Sequence, residues 1–178
     1  ADPDTGELRA RVALDRPAPG ASVSLRCAQH AHRGPAPAAP PGEAAEAELT
    51  STDGVMFEGA VRIERCEPWS MNDPALYQAE VVVSIGGAPS DQSRHRVGFR
   101  RCAPSGREIA LNGEPVYLSM ALDWGHEPVA VAPAPSAETI RGRFAGLKRL
   151  GFNGVCVCMW YPPRRVYEIA DEMGIAVW

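Results

Sequence analysis

The chain has 178 residues, 45% of them hydrophobic, and a formal net charge of −4 at pH 7. This length is enough for one large or two small domains with a buried core. No basic run or stripe indicates binding to nucleic acid or to an anionic membrane. No apolar run reaches the roughly 18–20 residues that a membrane-spanning helix needs, so we expect neither kind of partner.

Five cysteines are spread along the chain, at Cys27, Cys66, Cys102, Cys156 and Cys158. Their odd number and the lack of a Cys-x-x-Cys spacing indicate neither a disulfide framework nor a zinc site. Cys156 and Cys158 lie two apart on a predicted strand and should face the same side. This pattern favours small buried hydrophobic residues over a metal or redox pair, and we expect neither a metal nor a cofactor.

In the first hundred residues, apolar residues alternate with polar ones, as in half-buried strands. We predict six strands, at residues 7–15, 21–28, 46–52, 55–65, 75–85 and 93–101. Turn signals separate these strands and helical patterns are few, which favours a β-sandwich. The Pro- and Ala-rich residues 32–42 predict a loop. His30, His32 and His95 are interpreted as surface residues.

The remaining residues alternate between strand and helix patterns. The predicted elements are a hairpin at 109–117, a strand at 116–122, a loop at 123–128, a spacer at 133–135, a helix between Ser136 and Gly151, a strand at 152–160, a helix at 164–173 and a strand at 175–178. Asn112-Gly113 suits a type I′ turn, Ser136 is a good N-cap, and Gly174 can end a helix. The first helix has an apolar stripe of Ile140, Phe144, Leu147 and Leu150. Strand, helix and strand with short connections form a βαβ unit.

Three stretches of this second part carry a family resemblance. Gly151-Phe-Asn-Gly-Val155, Tyr161-Pro162 and the run from Tyr167 to Trp178 resemble the opening of the catalytic barrel of glycoside hydrolase family 2. That family includes β-galactosidases, β-glucuronidases and β-mannosidases. Residues 67–77 and Val97-Gly-Phe-Arg100 resemble segments of its immunoglobulin-like domain. The resemblance covers about residues 60–178, and the first 60 residues match by strand pattern alone.

The resemblance implies two domains. Residues 1–103 would form an immunoglobulin-like β-sandwich, and residues 104–178 would open a (β/α)₈ barrel with about three strands and two helices. A closed barrel needs eight strands and about 250 residues. We therefore expect the chain to be an excerpt of a longer protein, or a partial barrel that another chain completes.

The resemblance also implies a reaction, the retaining hydrolysis of β-glycosidic bonds in a carbohydrate substrate by two carboxyl groups. In the family, the two catalytic glutamates lie on the fourth and seventh barrel strands, so we expect no catalytic residue in this chain. Glu168 and Glu172 have a tempting i, i+4 spacing. They belong to a predicted outer helix, whereas active sites of this fold lie at the carboxyl ends of the strands.

What the chain can supply is part of the rim of the sugar pocket. We expect Asp123, His126 and Trp160 to contact substrate, because they follow the first two barrel strands. A carboxylate can accept hydrogen bonds from sugar hydroxyls, and an aromatic face can stack on a pyranose ring.

One position departs from the family pattern. The family usually has Arg where this chain has Cys156, and often His near Cys158 or Met159. A cysteine cannot supply a fixed positive charge. Two functions therefore stay open, namely an active hydrolase and a non-catalytic carbohydrate-binding or scaffold relative that has lost activity.

Overall fold

In a computed structural model of the chain, the described residues are 1–30, 44–127 and 135–178. The predicted loop at 32–42, with His32, and most of the predicted spacer lie outside these residues. The described residues form two compact units. The first unit comprises residues 1–30, 44–68 and 75–101, and the second comprises residues 69–74, 102–127 and 135–178.

The first unit contains six strands, and all six were predicted from the alternating pattern. They are β1 (Glu7–Ala13), β2 (Ala21–Gln29), β3 (Ala45–Ser51), β4 (Met56–Arg62), β5 (Tyr77–Ile85) and β6 (Ala88–Val97). The last strand begins at Ala88 rather than at the predicted Ser93, because Gly86 and Gly87 form a tight turn with positive φ between β5 and β6. All neighbouring strands pair antiparallel, in the order β1-β4-β3-β2-β5-β6.

The sheet is curled because β3 pairs with β2 along most of its length and with β4 at its end, and so joins the two halves of the sheet. Val23 of β2 is opposite Leu49, whereas Thr50 and Ser51 at the end of β3 pair with β4. The alternating apolar side chains of the two halves meet in one core. That core includes Val23, Leu25, Cys27, Leu49, Phe57, Val61, Tyr77, Ala79, Val81 and Phe99. This curled antiparallel sheet, with its core inside the curl, is consistent with the predicted β-sandwich.

Tyr77 and Cys27 are among the most deeply buried side chains of this core. The Tyr77 ring packs edge-on against Phe99, with centroids 4.9 Å apart, and its hydroxyl accepts a hydrogen bond from the Glu67 backbone N–H at 2.8 Å. Burial raises the pKa of Tyr77 to about 12. Burial, with a smaller effect of the neighbouring Cys66 thiol, raises the pKa of Cys27 to about 11. Cys27 therefore stays protonated at neutral pH and packs as a small hydrophobic residue. Cys156 and Cys158, which were predicted to be small buried hydrophobic residues, are only half-buried.

The second unit begins with a small antiparallel sheet. Its strands are β7 (Cys102–Ser105), β8 (Glu108–Leu111) and β9 (Glu114–Val116). Asn112 and Gly113 have φ values of +52° and +86°, so the predicted type I′ turn is confirmed. The turn between β7 and β8 was not predicted, although Ser105-Gly106 is a turn signal.

Two successive βαβ units follow. They consist of β10 (Met120–Asp123), α1 (Ala137–Arg149), β11 (Gly154–Val157), α2 (Arg164–Met173) and β12 (Ala176–Val177). Both strand pairs are parallel, in the order β10-β11-β12. The predicted strand at 116–122 is divided, because Val116 pairs in β9 and only residues from Met120 onward join the parallel sheet. The predicted strand at 152–160 is shortened to β11.

The two helices follow the predicted signals except at one residue. The Ser136 hydroxyl accepts a hydrogen bond from the Thr139 N–H at 3.1 Å, and α2 has the predicted bounds. Ile140 and Phe144 are buried, but Leu150 is 76% exposed, so its assignment to the apolar stripe was wrong. The reason is that α1 ends at Arg149 and the chain turns away at Gly151.

The charged residues of α2 are engaged on its surface. Glu172 pairs with Arg141 of α1, and Glu168 pairs with Arg164 at 2.8 Å. Both glutamates thus have helix partners.

No helix in the described ranges is long and apolar enough to cross a membrane.

Residues 69–74 pack in the second unit, against the ends of both helices. The Trp69 indole N–H donates to the Asp171 carbonyl at 2.8 Å. Lys148 donates from Nζ to the carbonyls of Met71, at 2.8 Å, and Met173, at 2.7 Å. Burial lowers the pKa of Lys148. These bonds attach a segment far away in sequence to the carboxyl ends of α1 and α2.

Candidate functional site at the carboxyl ends of the parallel strands

The parallel strands of the second unit end together at one edge. Asp123, the last residue of β10, is in register with Val157, the last residue of β11. The Val157 N–H donates to the Trp178 carbonyl at 2.8 Å, and the Cys158 N–H donates to the Asp123 carbonyl at 2.9 Å. Ligands of parallel α/β sheets bind outside this kind of edge. The candidate site is therefore formed by the loops that leave β10 and β11.

Asp123 shapes the loop that follows β10. Its Oδ1 atom accepts a hydrogen bond from the Gly125 N–H at 2.8 Å, which closes a tight turn. Gly125 has a φ of +69° and is buried. The Oδ2 atom of Asp123 accepts no hydrogen bond from any residue that the structure describes. One carboxylate oxygen is thus used by the loop and the other is available.

Trp160 lies against the same loop. Its indole N–H donates to the Asp123 carbonyl at 3.1 Å. Its ring covers Gly125 so closely that a Cβ on that glycine would lie 2.7 Å from Cε2 and 2.8 Å from Cε3. The ring also packs on the buried cluster that includes Ile140 and Phe144. The structure therefore brings Asp123 and Trp160 together, with the indole N–H and one ring face already used.

His126 lies in the exposed part of the loop, and its imidazole has no hydrogen bond to the described residues. Its backbone carbonyl accepts a hydrogen bond from Arg143 Nη2 at 3.2 Å. The same nitrogen lies 2.7 Å from Oε1 of Glu127, whose side chain is only 12% exposed. Arg143 was not identified from the sequence, because nothing in its spacing links it to Glu127. Gly125 was missed as well, although a glycine next to a strand end can indicate positive φ.

The strand register also places Cys156. Ala121 is opposite Val155, which is buried in the cluster under the helices. Side chains alternate along a strand, so Leu122 and its partner Cys156 lie on the opposite sheet face. Leu122 is 58% exposed and Cys156 is half-buried. The residue that departs from the family pattern thus lies on the face without helices.

Exposed apolar side chains surround the strand ends. Met159 is 87% exposed, Tyr161 is 99% exposed and Trp124 is 47% exposed. Met159 also has a φ of +62°, which is uncommon for a residue with a side chain. In the ranges 1–30, 44–127 and 135–178, no three His, Cys, Asp or Glu side chains converge as metal ligands.

The first unit has a separate shallow cavity of about 280 Å³, which Arg26, Ala28, Gln78, Glu80 and Arg94 line. Arg26 is in register with Glu80, and Glu80 with Arg94, so charges of opposite sign alternate across three strands. Arg94 donates a hydrogen bond to the Glu80 carboxylate at 2.8 Å, and this bond is the main cause that lowers the pKa of Glu80. Such cross-strand pairs stabilise a sheet face, and we interpret the cavity as part of that face.

Comparison with known proteins identifies the family. The family model described as "Glycosyl hydrolases family 2" matches residues 2–100, more than half of the chain. The chain belongs to this family. It is 26% identical over 133 residues to a beta-galactosidase of Photobacterium profundum, and 27% identical over 131 residues to one of Vibrio vulnificus. These matches cover 73% and 72% of this chain, whereas the chain spans only 12% of the length of either relative.

Solved structures share the fold. A b-glucuronidase from Ruminococcus gnavus superposes with a TM-score of 0.72 at 23% sequence identity, over 88% of this chain and 24% of that protein. A glycosyl hydrolase family 2 member from Bacteroides cellulosilyticus superposes with a TM-score of 0.75 at 18% identity, over 96% of this chain and 23% of that protein. Identities this low are evidence for the fold alone.

Proposed function

We propose that this chain is a segment of a glycoside hydrolase that cleaves β-glycosidic bonds with retention of configuration. Membership of the family supports the reaction class. The names of the sequence relatives, "Beta-galactosidase" and "Putative beta-glucuronidase", point to β-linked sugars as substrates. The sugar at the cleaved bond stays open, since these relatives act on different ones by name.

The proposed domain organisation is an immunoglobulin-like sandwich at residues 1–103 and the opening of a (β/α)₈ barrel at residues 104–178. The curled antiparallel sheet supports the first assignment. The succession β10-α1-β11-α2-β12, with parallel pairing throughout, supports the second. Three strands cannot close a barrel that needs eight. The other strands would come from the rest of the same protein or from another chain.

In the proposed mechanism, one carboxylic acid protonates the leaving oxygen while a second carboxylate attacks the anomeric carbon. The covalent glycosyl-enzyme is then hydrolysed by water, which the first residue activates as a base. We assign both carboxyl groups to barrel strands outside these 178 residues. In this chain Glu168 and Glu172 are engaged with arginines on helices, which supports that assignment.

The role we assign to this chain is substrate contact by Asp123, His126 and Trp160. The observation that carries it is the bond between the Trp160 indole and the Asp123 carbonyl, which joins the loops of two neighbouring strands at their carboxyl ends. Asp123 Oδ2 would accept a hydrogen bond from a sugar hydroxyl, and His126 is exposed enough to donate one. Trp160 would offer the part of its ring that Gly125 does not cover.

A non-catalytic carbohydrate-binding or scaffold protein is the second candidate. Cys156 favours it, because the residue lies on the sheet face that would line the barrel and lacks the charge of the arginine usual in the family. In this case the sugar-contacting rim would persist without turnover.

Hydrolysis of aryl β-glycosides separates the two candidates. We expect the full-length protein to cleave at least one of the β-galactoside, β-glucuronide, β-mannoside and β-glucoside. A polypeptide of residues 1–178 should cleave none. If a well-folded full-length protein hydrolyses none of the four substrates, that result would favour the non-catalytic relative. Turnover by residues 1–178 alone would contradict the proposed position of the catalytic carboxyl groups.

A further inference from the structure

The loop after β10 is held from two sides by other parts of the second unit. On one side, the Trp160 ring covers Gly125. On the other side, Arg143 of α1 donates to the His126 carbonyl at 3.2 Å and lies 2.7 Å from the Glu127 carboxylate. The described part of this loop, residues 124–127, is therefore held at Gly125 by an aromatic ring and at His126 and Glu127 by a cation.

The environment of Glu127 makes the cation necessary. Its Oε1 atom is shielded from solvent and receives no aligned hydrogen bond from the described residues. An ionised carboxylate in such a place is stable only beside an opposite charge, which Arg143 supplies. Without Arg143 we expect the carboxylate to rotate toward water and the loop backbone to move with it.

We propose that Arg143 is a positioning residue for substrate binding, an inference that rests on the proposed function. It acts through the Glu127 carboxylate and the His126 carbonyl, and it holds the loop in the conformation that presents Asp123 and His126 to the sugar. Arg143 itself does not touch the substrate. Its loss weakens contacts made in both the bound ground state and the transition state, so KM rises more than kcat falls.

The test uses the full-length protein and the aryl β-glycoside that it cleaves fastest. Arg143→Ala is expected to raise KM about tenfold, with kcat within about threefold of wild type. Arg141→Ala is the matched control. Arg141 lies two residues earlier on α1, is 39% exposed against 36% for Arg143, and pairs with Glu172 of α2 instead of the loop. Its KM should stay within about twofold of wild type.

Two further variants test whether Arg143 affects KM through its contact with Glu127. Arg143→Lys keeps the charge but not the planar fork, and should recover part of the lost affinity. Glu127→Gln should raise KM less than Arg143→Ala, and the double variant should show effects that do not add, because both act through one contact.

Equal KM values for Arg143→Ala and Arg141→Ala would overturn the inference. So would an Arg143→Ala protein that loses thermal stability while its KM is unchanged, since that result assigns a purely structural role. If Arg143→Ala does not fold, the Arg143→Lys and Glu127→Gln variants decide instead, and measurable effects of both on KM that simply add in their double variant would overturn the inference. An inactive wild type would instead contradict the proposed function.

Discussion

Replacing Gly174 by alanine is expected to destabilise α2 by at least about 3 kcal/mol. Gly174 ends α2 with a φ of +66°, in the left-handed region that costs other residues about 1–2 kcal/mol. A Cβ there would also lie 2.8 Å from the carbonyl carbon of Met71 and closer still to its oxygen. That carbonyl is not free to rotate away, because Lys148 binds the same oxygen.

Hydrogen exchange of the α2 amides, read by mass spectrometry on the full-length protein, measures this local stability. We expect a loss of protection of roughly a hundredfold. Gly151→Ala is the control, since Gly151 follows α1 with a φ of +84° and has nothing within 4 Å of its Cβ position. The α1 amides should then lose only about tenfold. Equal losses in the two helices would show that the Met71 carbonyl moves aside, against the expectation.

Replacing Gly125 by alanine is expected to lower kcat/KM of the full-length protein at least about a hundredfold. The new Cβ would occupy the position of the Trp160 ring, and the φ of +69° disfavours any side chain. Either Trp160 leaves and breaks its bond to the Asp123 carbonyl, or the loop shifts. A displacement of about 1 Å in a substrate-binding loop is enough for a loss of this size.

The control for this prediction is Gly113→Ala in the hairpin between β8 and β9. Gly113 has a φ of +86° and nothing within 4 Å of its Cβ position, so the variant has a similar backbone strain without a steric clash. Steady-state kinetics of both variants should give a kcat/KM near wild type for Gly113→Ala only. A Gly125→Ala protein within about threefold of this control would remove the loop from the proposed substrate site.

Local signals in the sequence were sufficient for most elements of the second unit. Ser136, Asn112-Gly113 and Gly174 were recognised because a cap or a turn depends on a few neighbouring residues. The assignment of Leu150 to the apolar stripe failed because its burial depends on more than neighbouring residues. Its spacing matches the apolar stripe of α1, but whether a residue past the last turn is buried depends on the direction in which the chain leaves the helix.

Interactions between distant parts of the chain could not be predicted. The double pairing of β3, which curls the first sheet, depends on long-range register and not on the alternation that reveals a strand. Likewise, the bond between Trp69 and Asp171 joins residues 102 positions apart. In the candidate site, the strand ends were found from the βαβ pattern, whereas the pairing of Arg143 with Glu127 leaves no trace in the sequence.

Proton NMR of the full-length protein during hydrolysis of an aryl β-glycoside tests the proposed retaining mechanism most directly. The spectrum shows which anomer of the free sugar forms first, before the anomers equilibrate. A retaining mechanism with carboxyl groups about 5–5.5 Å apart releases the β-anomer first, and we expect that result. First release of the α-anomer would indicate inversion, with carboxyl groups about 6.5–9.5 Å apart, and would contradict the proposed mechanism.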